Sequence, residues 1–389
     1  MFVEIAHYVF WVTLGLVIYG YVGYPFVLVC LTAFRKWQVN KKEIFPTVSL
    51  VIPAYNECAV IEDKIKNSLS LDYPLDRLEI IVASDGSTDG TGEILKAYHG
   101  RGIQAYCFEK RSGKTGVLNK ILPRIQSEIV LFSDANTMYK PDAIQKLVRN
   151  FHDSEVGSVS GQVILKNDHV AFGQSERLYY RYERFLQKRE TLLGSMLGAD
   201  GAMYAIRRSL FQPPPDDTIL DDFVIAMEAA RAGYRIIYEP EAIAYEDAVP
   251  NLKSEFNRKS RIVAGAVQMM KRGLGIPNAR QKLLWFQFLS HKFLRWVMPW
   301  ILIALLLVNL RLVAADVHSF ASFRDILGIY WVTVAAQIVF YSLALCGIIF
   351  NRVLVTAVPQ YLCTMYAALI LGLIKGLADK QEVTWKTSR

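Results

Sequence analysis

The sequence predicts an α/β domain built on a mostly parallel sheet and set between apolar helices that can cross a membrane. Short apolar runs (Val48–Pro53, Leu78–Ala83, Ile103–Phe108, Ile129–Ser133) alternate with stretches of helical spacing (Val60–Leu69, Thr91–Tyr98, Ala143–Phe151). That alternation is the pattern of parallel strands joined by crossover helices on both faces. Long apolar runs flank this region on either side. Hydrophobic residues make up 52% of the 389-residue chain, and the mean hydropathy of +0.22 is high for a soluble protein.

The first element, within residues 1–45, is an apolar stretch from Ala6 to Phe34. It is too long for a signal-peptide core and has no small-residue cleavage site after it. It reads as a transmembrane helix, with Pro25 tolerated near its inner end. Arg35, Lys36, Lys41 and Lys42 follow at once, so the positive-inside rule places the next segment in the cytoplasm and the protein in the inner membrane. The net charge of +8 fits loops facing anionic lipid. No nucleic-acid motif with interleaved aromatics accompanies it, so nucleic acid is not an expected partner. The five cysteines are scattered without a CxxC pair, which excludes a zinc site of that kind and a disulfide framework.

Residues 46–275 form the expected catalytic domain, and the boundary near Pro46 is a shift in composition. In 276–296, Trp285, Phe288, Leu289, Phe293 and Trp296 fall at helical spacing with Lys282, Lys292 and Arg295 elsewhere, as in a helix lying in the membrane interface; a helix packed on the soluble domain is the alternative. Residues 297–374 hold Val297–Ala315, Ile326–Phe350 and Val353–Ile374. The last run follows Asn351-Arg352 and contains Pro359-Gln360, so it is expected to lie in the interface or re-enter. Residues 375–389 then form a cytoplasmic tail rich in Lys and Arg.

The residues with chemistry gather at predicted strand ends, where ligands of open α/β sheets sit. Asp134-Ala135-Asn136 follows Ile129–Ser133. Hard oxygen donors there can hold Mg2+ or Mn2+ against a diphosphate, or the residues can simply form an Asx-type turn. Pro53-Ala54-Tyr55-Asn56-Glu57 ends the first strand; Tyr55 offers an apolar face and Glu57 an acceptor to a nucleoside. Asp85 ends the second strand and can accept from a base or ribose. Gly113-Lys114 lacks the glycine spacing of a P-loop, yet a lysine beside a glycine suits a diphosphate. Asp221-Asp222 precedes a helical stretch, Ile225–Ala232, where negative charge is favoured with or without catalysis.

Taken in order, Pro-Ala-Tyr-Asn-Glu, Asp-Gly-Ser-Thr-Asp-Gly-Thr, Gly-Lys-Thr-Gly-Val-Leu-Asn, Ser-Asp-Ala-Asn and Leu-Asp-Asp resemble the family-2 inverting glycosyltransferases, in the branch of hyaluronan, chitin, cellulose and poly-N-acetylglucosamine synthases. The resemblance covers about residues 46–275 and implies a GT-A, Rossmann-like mixed sheet joined to transmembrane and interfacial helices. It implies that Pro53, Tyr55, Glu57, Asp85, Lys114, Asp134 and Arg261 bind the nucleotide sugar. Asp134 and Asn136 would bind Mg2+ or Mn2+, Asn136 replacing the usual second Asp. Asp222, with Asp221, would be catalytic, Asp222 as general base. Asp200, Gly201 and Arg258 would meet the acceptor, and Arg207-Arg208 would line its cleft. Arg258-Lys259-Ser260-Arg261-Ile262 stands where the family has Gln-x-x-Arg-Trp, so the flat Trp surface for an acceptor sugar is absent. Trp385 and Arg389 resemble a gating loop that closes over UDP.

The expected activity is transfer of GlcNAc or glucose from a UDP-sugar to a growing polysaccharide by a bilayer-embedded enzyme, coupled to export. A single-sugar transferase acting on a lipid or lipid-linked acceptor, and a non-catalytic membrane scaffold, are the alternatives.

Overall fold

The computed structural model describes residues 2–166, 171–247, 251–316, 328–350 and 353–381. Its strands are β1 (Val48–Ala54), β2 (Leu78–Asp85), β3 (Gln104–Phe108), β4 (Ile129–Ser133), β5 (Met138–Tyr139), β6 (Val156–Lys166), β7 (Met203–Arg207) and β8 (Arg235–Asp247). They form one eight-stranded sheet in the order β3-β2-β1-β4-β7-β6-β8-β5. The first four in that order run parallel; β7 is antiparallel to both β4 and β6.

Every residue of β1 is buried, as a parallel strand covered on both faces requires. The two-residue period then sorts the side chains. Leu50, Ile52, Ile80, Val82 and Leu131 join a core with α3 (Ile61–Leu69) and α6 (Ala143–Val148). Val51, Ile81, Val130 and Phe132 join another with α5 (Gly113–Ile121) and α8 (Asp221–Arg231). The predicted strands and the helix α4 (Thr91–Tyr98) form at their expected places within a residue or two.

Direction fixes the site. The parallel strands end together, and β7 starts at that edge because Met203 lies opposite Ser133. The turn at 198–202 therefore sits beside Asp134. Arg207 lies opposite Ile129, at the far edge. Its guanidinium donates to the carbonyls of Val156 (2.8 Å), Phe151 (2.8 Å) and Asp153 (2.9 Å), and the Arg208 amide donates to Glu128. Arg207-Arg208 thus brace the sheet away from the strand-tip cleft, contrary to the acceptor-cleft expectation; the antiparallel run of β7 carries them there.

The N-terminal helix is continuous: α1 (Phe2–Ile18), a π turn (Tyr19–Gly23) and α2 (Tyr24–Phe34), with Pro25 in the first turn of α2. The helix expected in the interface packs along one side on the catalytic domain. After α7 (Ala171–Leu193) and α9 (Leu252–Lys271), α10 (Lys282–Gln287) runs through a π turn into α11 (Leu294–Asp316). Leu284 and Phe288 are buried against Phe223, Met227 and Met269, with Trp285 and Trp296 at the margin. Leu289 and Phe293 of the same stripe stay exposed.

With α12 (Ile329–Ile349) and α13 (Leu354–Leu377), four helical runs among the described residues are long and apolar enough to cross a membrane. The run 353–374, expected to lie in the interface or re-enter, forms one unbroken helix, α13. Pro359 stands in its second turn, where a missing N–H forfeits a single intrahelical bond. The second half of α13 lies along α9: a Cβ on Gly376 would stand 2.7 Å from the Val267 Cβ and 3.0 Å from the Ala264 carbonyl. Lys271 closes the contact by donating to the carbonyls of Gly376 (3.1 Å) and Leu377 (2.9 Å) and pairing with Asp379 at 2.9 Å.

Gly376→Leu is expected to force α13 off α9, costing about 1–3 kcal/mol of packing. The check is the thermal midpoint of the detergent-solubilised chain; an unchanged midpoint would contradict this packing.

Candidate active site

Four loops converge at the strand ends. The β1 and β2 turns are knitted together: the Asn56 amide donates to Ser87 Oγ at 3.1 Å, Thr88 N donates to Asn56 Oδ1 at 2.9 Å, and Glu57 N donates to Thr91 Oγ1 at 2.9 Å. Asn56 takes a positive φ of 52° to make this turn, a conformation its short amide tolerates. Pro53 is buried in β1 and Glu57 is nearly so. The Arg111 guanidinium lies 3.5 Å over the Tyr55 ring, so one face of the expected nucleoside platform is already covered.

Asp85, fully buried, turns inward. Its Oδ1 accepts from Ser112 N (2.7 Å) and Ser112 Oγ (3.1 Å), and its Oδ2 from Gly113 N (2.7 Å). Three charge-assisted bonds fix the loop that opens α5. That loop delivers Lys114, whose Nζ stands 2.8 Å from Asp134 Oδ1 and 3.8 Å from Asp221 Oδ2. Burial works against the charged lysine, but Asp134, then Asp221 and Asp222, outweigh it and hold its pKa above the ordinary range.

Asp221 and Asp222 open α8. Burial raises both carboxyls; for Asp222 the next cause is its neighbour Asp221, and Lys114 opposes the rise in each. Asp222 Oδ1 accepts from Phe223 N at 2.7 Å. Gly201 is required beside it, because a Cβ there would stand 2.7 Å from Asp222 Oδ2. Arg261, on α9, is mostly buried; burial lowers its pKa while Asp221, Asp222 and Asp134 raise it. Asp200 is engaged, accepting from Arg184 at 2.8 Å; Arg184 outweighs the effect of burial and keeps its pKa low.

Several expected residues are committed to neighbours. Arg258 forks onto Glu255 (2.6 and 2.9 Å) and reaches the Tyr180 hydroxyl at 3.0 Å. A second acidic pair nearby, Asp216-Asp217, is structural: Asp217 binds Arg272 through two 2.6 Å contacts, and Asp216 accepts from Asn119. Trp385 and Arg389 lie outside the described residues.

Two groups, the fully buried Lys64 and the half-buried Glu246, had escaped sequence reasoning. Lys64 lies beneath the motif and donates to the Thr137 carbonyl; burial pushes it down to about 7. Glu246, at the end of β8, accepts from Asn136 Nδ2 at 2.9 Å, and burial, then Asp134, push it up to about 7. Glu246 follows an apolar run just as Asp85 and Asp134 do, so the same strand-tip rule could have found it.

Among the described residues no group of three or more His, Cys, Asp or Glu is arranged to hold a metal. The donors nevertheless fit a hard cation. Asp134 keeps 38% of its side chain exposed beside the Lys114 contact, and Asn136 has an amide oxygen. Asp134, Asp221 and Asp222 meet here, and added positive charge would relieve their repulsion.

Residues 49–212 match the family described as glycosyl transferase family 2, and the chain carries a domain of that family. Poly-beta-1,6-N-acetyl-D-glucosamine synthase of Staphylococcus aureus is 26% identical over 244 residues, 61% of this chain and 58% of that protein. The probable glycosyltransferase YdaM of Bacillus subtilis is 28% identical over 247 residues, 59% of this chain and 57% of that protein. The chain thus spans just over half the length of either relative. The mannosyltransferase PcManGT of Pyrobaculum calidifontis, solved with GDP-Man and Mn2+, superposes with a TM-score of 0.74 at 23% identity, over 98% of this chain and 100% of that one. The fold is therefore the mixed-sheet GT-A fold with apolar helices attached.

Lys114→Met should leave the buried acids uncompensated. At pH 8 the loss of stability should be roughly 2–3 kcal/mol, less than for a fully buried pair because Asp134 is partly open. The raised acids take up protons as pH falls, so the loss should shrink by pH 5. Denaturation at both values checks this; an equal loss at each would contradict it.

Proposed function

We propose that this protein is a membrane-bound inverting glycosyltransferase that moves a sugar, GlcNAc or glucose, from a UDP-sugar to a glycan acceptor. The observation that carries the reading is the convergence of Asp134, Lys114, Asp221, Asp222 and Arg261 at the carboxyl edge of the sheet. The family-2 domain supports the class, and the poly-N-acetylglucosamine synthase relative supports a polymer product.

In this reading the acceptor hydroxyl attacks the anomeric carbon, and its proton passes to a carboxylate oxygen of Asp222. The new C–O bond forms as the bond from the anomeric carbon to the diphosphate oxygen breaks. Lys114 and Arg261 offset the charge that collects on the leaving diphosphate. Asp134 and Asn136 would hold Mg2+ or Mn2+, which supplies further charge neutralisation when bound. Tyr55, Glu57 and the turn held by Asp85 form the nucleoside side; Asp200 and Gly201 border the acceptor side.

The catalytic domain faces the cytoplasm of the inner membrane, following Arg35, Lys36, Lys41 and Lys42. The hold of Lys271 on the end of α13 supports a tail that begins on the same side. A second reading, one sugar added to a lipid-linked acceptor, is favoured by Ile262 in place of the stacking Trp. Chromatography of products from labelled donor separates a polymer ladder from one glycolipid.

The reading is tested by nucleoside diphosphate release with Mn2+ and a panel of UDP-sugars plus GDP-mannose. UDP-GlcNAc or UDP-glucose should be turned over, and excess chelator should abolish activity; release from GDP-mannose alone would overturn the donor assignment. Asp222→Asn should keep UDP binding and lose turnover by about 100-fold or more.

The pH profile adds an independent check. Asp222 accepts a proton only when ionised, so kcat/KM should rise with pH along a limb lying above the ordinary carboxylate range. Asp221→Asn removes the neighbouring like charge and should move that limb to lower pH. An unmoved limb would contradict the coupling of the pair.

A further inference from the structure

We propose that Glu246 is the positioning residue for Asn136, and that it is the reason an amide stands at the last place of the Asp134–Asn136 motif. This rests on the reading of Asp134 and Asn136 as the cation and diphosphate end of the site.

The register places Glu246 there. The chain leaves the motif as β5 and pairs antiparallel with β8, Met138 opposite Tyr245 and Tyr139 opposite Ala244. One step beyond the first pair, Glu246 comes alongside the motif, and its Oε1 accepts from Asn136 Nδ2 at 2.9 Å. A carboxamide can turn either end toward a ligand. With its nitrogen committed to Glu246, the atom left for other partners is Oδ1, the only one that can ligate a hard cation.

The same contact excludes a carboxylate at 136. An aspartate there would bring a second acid to about the same separation from Glu246 as the present bond. The nearby cation Arg258 is forked onto Glu255. A carboxylate at 136 has no donor to offer Glu246, and two carboxylates at that distance repel. Asn136 and Glu246 are therefore a matched pair: the amide carries the donor, and the acid sits one layer back. Moving the charge onto the motif requires changing both.

The test uses the full chain in detergent, with Mn2+ alone as probe by electron paramagnetic resonance titration, and thermal midpoints in parallel. Glu246→Leu removes the acceptor and should weaken Mn2+ binding about 10- to 100-fold, the usual effect of losing a group behind a ligand. Glu246→Gln keeps an acceptor oxygen and should stay within about threefold of wild type, well short of that loss. Asn136→Asp alone should lower the thermal midpoint, and Asn136→Asp combined with Glu246→Gln should restore it, the glutamine amide now donating to Asp.

Three results would overturn the proposal: Glu246→Gln binding Mn2+ as weakly as Glu246→Leu, which would make Glu246 a charged ligand itself; wild-type affinity in Glu246→Leu; or midpoint changes that simply add. The midpoint cycle needs neither metal nor a folded Glu246→Leu variant. A wild type that binds no Mn2+ would remove the cation reading of Asp134, while the cycle would still decide the pairing.

Discussion

The arrangement depends on one ammonium group, that of Lys114. Asp134 comes from the tip of β4, and Asp221 and Asp222 from the start of α8, yet the lysine lies 2.8 Å from the first and 3.8 Å from the second. Carboxylates from separate elements do not gather in a buried place unless a cation offsets their repulsion and lost hydration. The lysine in turn is held by Asp85, which ties down the backbone at Ser112 and Gly113. The other side of α5 reaches toward α8: Thr115 donates to the Thr218 carbonyl at 2.9 Å and Asn119 to the Pro214 carbonyl at 2.7 Å. A short helix thus joins the β1 and β2 turns to the loop that delivers the acidic pair.

A second support comes from the apolar helices. Arg261 faces the acids from α9, and α9 is backed by α13 through Gly376 and Lys271. Leu284 and Phe288 press on Phe223, the residue after Asp222. The helices that can enter a membrane therefore form part of the wall behind the site, and a shift in them would be felt at Arg261 and Asp222.

The sheet was largely legible because its strands are short apolar runs with polar tips, and because parallel order sends those tips to one edge. Asp134 could be named for that reason, whereas Lys114, Asp222 and Arg261 are named through the family resemblance. What escaped depends on pairing between distant segments. The direction of β7 decides that Asp200 and Gly201 face the cleft while Arg207 does not. The pairing of β5 with β8 brings Glu246 to Asn136 across 110 residues of sequence. The stripe that includes Phe288 has the spacing of an interfacial helix, and no local pattern tells that Phe223, Met227 and Met269 cover part of it. Asp85 has the look of a ligand-facing acid, but its oxygens are drawn to two backbone amides that no local pattern announces.

The most direct test of the central claim is a structure of the full chain with UDP and Mn2+ bound. The account predicts the diphosphate between Lys114 and Arg261, the cation on Asp134 with the amide oxygen of Asn136 turned toward it, and Asp222 open on the acceptor side. Nucleotide bound away from the Lys114–Asp134 pair, or a site in which Asp222 is sealed from the acceptor side, would contradict it.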